Sequence, residues 1–122
     1  MKQEDVAKVI EEVVEGIYKA YPMLEEKYGK LGREKCIEDN YHHFKHLDTA
    51  YTLNESKIFT DYAIWLNNIL TSRGMKEEHL IDNFERIHAS LQNFDDKEAS
   101  SYREYLASAI SELHNEKIRK VN

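Results

Sequence analysis

The chain reads as an all-α domain, an up-and-down helical bundle of about five helices plus one short helix. Three observations predict this. One proline and four glycines in 122 residues leave little turn chemistry for a sheet. Apolar residues recur with a period near 3.6 through every long segment, and no segment alternates with period two for long. The breaks between segments are short and carry helix start and stop signals, which makes sequential helices antiparallel neighbours. The length suits one core, so a single domain over residues 1–122 is expected.

The first helix is expected over 4–20, with Val6, Val9, Ile10, Val13, Ile17 and Ala20 on one stripe. Tyr21-Pro22 ends it and starts a short helix over 22–28, because the first helical turn has no use for the N–H that proline lacks. Gly29 and Gly32 bracket the turn YGKLGR ahead of a helix over 32–52. Asn54 and Ser56 form a cap-like break before a helix over 56–73, which closes on Arg73-Gly74, a cation followed by a glycine. The next runs over 76–92 and carries Leu80, Ile81, Phe84, Ile87 and Leu91. Asp95 or Asp96 is placed to cap the last, over 96–118, whose stripe is Ala99, Tyr102, Leu106, Ala109, Ile110 and Leu113.

Lys and Arg number 17 against 23 Asp and Glu, a net charge of −6. The cations are scattered, with no basic run before Lys117, Arg119 and Lys120, which argues against nucleic acid. Cys36 is the one cysteine, so no internal disulfide forms and a reducing compartment suits the chain. No apolar run approaches the ~18 residues of a membrane span, and the start is acidic and amphipathic, unlike a signal peptide. A cytoplasmic location is the expectation.

The stretch YHHFKHLDTAY, Tyr41 to Tyr51, carries three histidines. On a helical wheel Ile37, Tyr41, Phe44, Leu47 and Tyr51 fall within about 60° of Phe44 and define the expected core face. His42 and His46 fall opposite. Their i, i+4 spacing would suit two metal ligands, but no third or fourth ligand accompanies them, so they are expected exposed, metal-free and paired with Glu38 or Asp39. His43 lies on the border, able to face a pocket or to bond a neighbour. Asn40 and Asp48 fall about 40° either side of Phe44, on the apolar face. They read as a register-fixing polar network or as the polar groups of a ligand pocket, with Arg73 or a tyrosine hydroxyl as partner for Asp48. The helix over 56–73 turns Ile58, Phe59, Tyr62, Trp65, Leu66, Ile69 and Leu70 inward. The next turns His79 out and His88 in, opposite His43. The expected pocket is aromatic, between the helices over 32–52 and 56–73. Its candidate residues are Asn40, His43, Asp48, Tyr62, Trp65 and His88.

No glycine-rich phosphate loop, Cys-x-x-Cys or His-Glu-x-x-His occurs, and no nucleophile stands beside a base, so no enzyme, catalytic residue or metal site is expected. From about Tyr18 to Leu91, Cys36, Asp39, His43, Leu47, Ala50, Phe59, Asp61, Tyr62, Trp65, Leu66, Arg73 and Gly74 form a pattern. It resembles the helical domain found ahead of cobalamin-binding domains in some bacterial sensory and regulatory proteins. The Glu-His pair that follows the tryptophan in that family falls further downstream here, at Glu78-His79, and the family's Asp-x-His-x-x-Gly motif is absent. The resemblance implies a sensory or regulatory module rather than an enzyme. Tyr105, Ile118 and Ile64 lie off the apolar stripes, which suggests a homodimer. The expectation is therefore a small regulatory module that binds a small apolar ligand or a partner protein, with no cofactor. The alternative is a globin-like or cobalamin-cap-like bundle contacting haem or cobalamin through His43 or His88.

Overall fold

The computed structural model describes residues 1–121, with side chains through Arg119; the side chain of Lys120, last of the basic cluster, and all of Asn122 lie outside the described residues. Five helices follow in order: α1 (Gln3–Ala20), α2 (Met23–Thr52), α3 (Lys57–Ser72), α4 (Glu77–Leu91) and α5 (Lys97–Val121). No strand occurs among the described residues. The bundle is up-and-down. α1 packs on α2 and α4, and α5 packs on the same two, which closes a four-helix ring. α3 packs against the α2–α5 side of it, mainly along α5 and then α2, and also touches α4, with Phe59, Ala63 and Asn67 buried.

Alternating direction gives the bundle two distinct ends. One carries the α1–α2 turn at Tyr21-Pro22 and the α3–α4 turn at Arg73–Lys76. The other carries the remaining turns and the N-terminus. There the Met1 amine pairs with Glu98 at 2.6 Å and Asp96 at 3.3 Å. Asp96 thus meets the N-terminal amine, and its backbone carbonyl accepts from the Ser100 N–H. The core joins the predicted stripes of α1, α4 and α5, with Phe59, Phe84, Leu47, Ile87, Leu91, Leu106 and Leu113 fully enclosed. Ala50, Ala63, Ala99 and Ala109 are equally buried. Small side chains at such contacts let helix axes approach more closely than leucines would.

The segments expected as separate helices over 22–28 and 32–52 form one helix with a kink at Gly29 (φ 60, ψ −151). That conformation is nearly confined to glycine, which has no Cβ to clash. Gly32 is needed for a different reason: a Cβ there would overlap the Cβ of Tyr28 across the bend. Residues 23–28 are thereby turned away from the line of α2. Gly74, at φ 84, ends α3 as its sequence predicts.

α2 and α3 are rotated from the faces their large apolar residues suggest. The buried residues of α2 are Asn40, His43, Phe44, Leu47 and Ala50, an arc centred on Leu47, about 60° from Phe44. This corrects two expectations, since Tyr41 and Asp48 are exposed, and it places the border residue His43 inside. On α3 the centre is taken by Phe59, Tyr62, Ala63 and Asn67, which leaves Trp65 59% exposed rather than inward. Tyr105, expected off the core, is buried within it, Ile64 is half-buried and Ile118 is exposed. No helix among the described residues is long and apolar enough to cross a membrane.

Candidate functional site

At the end holding the two paired turns, α1, α2, α3 and α4 surround a groove of about 610 Å³. Among the described residues none of α5 lines it. The walls are mostly aromatic and aliphatic: Tyr18 and Tyr21 from α1 and its turn, Tyr28 from the bent segment of α2, Tyr62 and Trp65 from α3. The bend at Gly29 brings Leu24 and Tyr28 to the groove, and Arg33 ties that segment down through ion pairs to Glu25 at 3.5 Å and to Glu15. Met75, Trp65 and Tyr28 are large apolar side chains left partly in water around the mouth.

His43 borders the groove from within, only 2% exposed. Its Nδ1 and the Tyr62 hydroxyl share a hydrogen bond of 2.7 Å. Its ring meets the edges of Phe84 and Tyr62 at 5.1 and 5.8 Å between centroids. Among the described residues its Nε2 has no hydrogen-bond partner. Burial holds the imidazole far below its usual range, at about 3, and the neighbouring His42 and His46 add to the effect. Burial, then the charge of Asp39, pushes the Tyr62 hydroxyl upward; the same two causes push the Cys36 thiol up to about 11. Both groups, like His43, are therefore neutral at physiological pH.

Beneath His43 lies an asparagine pair. The Asn40 Nδ2 donates to Asn83 Oδ1 at 3.1 Å, and the Asn83 Nδ2 returns a bond to Asn40 Oδ1 at 2.8 Å. Asn40 is 0% and Asn83 8% exposed, and Asn40 also donates to the Cys36 carbonyl at 2.9 Å. The pair joins α2 to α4 diagonally across the ring. A one-residue slip of either helix would leave buried amides unbonded, so the pair fixes their register.

The six predicted pocket residues therefore divide. His43, Tyr62 and Trp65 line the groove. Asn40 is buried next to it and bonded to Asn83, which does line it. Asp48 lies near the opposite end, where it accepts a 3.3 Å hydrogen bond from the Tyr102 hydroxyl; Arg73 is not its partner. His88 is half-buried at the edge of α4, within 3.5 Å of the Gln92 amide, and does not meet His43. The misplacement of Asp48 follows from the rotation of α2; His88 lies at the flank of α4, whose apolar stripe faces the core as predicted. His42 is exposed beside Glu38, as expected. His46 departs from expectation: it is half-buried, and its ring stacks on Tyr62 at 3.8 Å and 10°. Among the described residues no three His, Cys, Asp or Glu side chains are grouped to hold a metal ion.

Sequence reasoning missed the α1–α2 side of the groove. A signal was present: Tyr18, Tyr21, Leu24 and Tyr28 straddle Pro22, more apolar bulk than a short surface turn requires. Asn83 was legible in the same way as Asn40, as an amide beside the apolar stripe of Leu80, Phe84 and Ile87. Comparison of the chain with protein-family models, curated proteins and solved structures finds no match.

Proposed function

We propose that this chain is a small helical ligand-binding module of regulatory type, taking a compact, largely apolar molecule in the groove between α1, α2, α3 and α4. The observation that carries this is the groove itself: about 610 Å³, aromatic walls, and few buried polar groups. Small-molecule sites have that size and that ratio of apolar wall to polar anchor. The free Nε2 of His43 supplies one such anchor, held in position because Tyr62 occupies the other ring nitrogen. The bent segment at residues 23–28 borders the groove through Leu24 and Tyr28, so a ligand would alter the apolar surface around the mouth. That change of surface is the regulatory output. No step of bond making or breaking is required of any residue.

Trp65 is the chain's single tryptophan and a wall residue, so it reports occupancy directly. A panel of small two- and three-ring aromatics is expected to change its emission and raise the melting temperature. A ligand at 100 times its Kd adds about 2.7 kcal/mol of stability. A panel that leaves both signals unchanged would count against a ligand site. A second reading has a haem or corrinoid in the same groove with His43 as axial ligand. It is favoured by an imidazole that stays neutral and keeps one ring nitrogen free; His88 has no part in it. Visible absorption by the purified protein that disappears in His43→Ala is its test.

A further inference from the structure

We propose that the ligand of this groove is an aromatic anion, with its rings against the Trp65–Tyr62 wall and its negative group at Arg73 and Lys76. The inference rests on the groove being a ligand site and adds the charge and shape of what enters it.

The charge comes from an accounting of ion pairs. The chain as a whole is acidic, at −6. Of the carboxylates that line the groove, Asp39 is paired with Lys35 at 3.6 Å and Asp82 with Arg86 at 2.8 Å. The acids beginning α4 are also engaged: Glu77 accepts from the Asn67 amide at 2.7 Å, and Glu78 from Lys117 at 2.6 Å. His42 stands by Glu38 at 3.7 Å. Arg73 and Lys76, three residues apart on the α3–α4 turn, have no acidic partner among the described residues, and both line the groove. Arg73 alone has a local explanation, since a cation at a helix C-terminus complements the helix dipole. Lys76 has none. It occupies the N-cap of α4, where a cation opposes the dipole and makes no capping hydrogen bond. Two uncommitted cations at the mouth of an apolar groove, one of them against local preference, complement an anion.

The shape comes from the wall. His46 and Tyr62 form a parallel stack at 3.8 Å, and the Trp65 ring continues from Tyr62 at 6.4 Å and 33°. Trp65 is 59% exposed, so a large aromatic surface stands in water in the same groove that Arg73 and Lys76 line. A flat ring laid on it removes apolar area from water and adds a stacking contact.

Anilinonaphthalene sulfonate and neutral phenylnaphthylamine share an aromatic body and differ in the anionic group. Each is titrated against the full chain and read by quenching of Trp65. The sulfonate is expected to bind about tenfold more tightly, the scale of two partly exposed ion pairs. In Arg73→Gln/Lys76→Gln the gap is expected to close while the affinity of the neutral amine stays unchanged; both positions are exposed, so the fold is retained. Equal affinities in the parent chain, or a gap that survives the double substitution, would overturn the anion assignment and leave the groove as a site. Failure of both probes to quench Trp65 would overturn the groove reading and this inference together.

Discussion

At the end of the bundle that holds the N-terminus, Leu47, Ala50, Leu91 and Leu106 are packed without exposure, and Tyr102 meets Phe44 and Tyr51 edge to face. Arg103 seals that end, donating to the carbonyls of Leu91 at 2.6 Å and Phe94 at 3.1 Å. At the other end Tyr18, Tyr21, Tyr28, Tyr62 and Trp65 border open space. The two ends are built from the same helices and are similarly rich in aromatics. They differ in which side α5 covers: it runs the length of the bundle and reaches the second end, where Lys117 meets Glu78 at 2.6 Å, but none of its described residues lines the groove. Where a fifth helix occupies the space, aromatic side chains become core. Where it does not, they become walls. The groove is thus a consequence of topology, and its residues should matter less to stability than their size suggests.

The largest expected effect tests the closed end. Leu106→Ala leaves a cavity that close-packed neighbours cannot collapse into, and should cost about 2–5 kcal/mol in urea unfolding. A cost under about 1 kcal/mol would show that this end is looser than its burial implies.

Asn83→Ala, at the boundary between the two ends, should cost about 1–3 kcal/mol, because it leaves the Asn40 carbonyl buried without a donor. Asn40→Ala combined with Asn83→Ala should cost less than the sum of the single changes, since neither amide is then left alone.

Acid should weaken the groove end through His43. Its folded pKa, about 3, lies below the unfolded value of 6.5, so between these the unfolded chain binds the extra proton. Stability therefore falls as pH falls through that window, by up to about 1.4 kcal/mol per pH unit, and His43 contributes no pH dependence above it. Comparing urea midpoints of the parent and His43→Leu from pH 7 to pH 5 isolates the His43 contribution, and the slope should be shallower in the variant.

The smallest effect is expected at the wall. Trp65→Ala should shift stability by only about 0.5 kcal/mol, in line with an exposed position, although tryptophan is the largest side chain. A loss comparable to that of Leu106→Ala would mean that Trp65 packs as core after all, and would erase the distinction between the two ends.

The stop signals of the chain were legible one by one. Pro22, Gly74 and the polar break before Lys57 each act within a few residues, through φ limits and missing or freed N–H groups, so no distant contact can overrule them easily, whereas Gly29 kinks a helix it was expected to end. The stripes of α1, α4 and α5 were legible too, because large apolar residues occupy their centres. The candidate site was legible in part: His43, Tyr62 and Trp65 line the groove, and Asn40 is the buried amide it was read to be.

The sequence by itself therefore determined where helices begin and end, that they form a bundle, and which aromatic residues are available to it. Only the tertiary structure decided how α2 and α3 are rotated, and with that the fate of Asp48, Trp65 and His46. The reason is the small buried residues. Asn40 and Ala50 on α2 and Ala63 and Asn67 on α3 carry little hydrophobic weight on a wheel, yet all are buried, the alanines allowing close helix approach. The bulky aromatics are displaced to the flanks. On the flank covered by α5 they are enclosed, and on the flank it leaves open they line the groove.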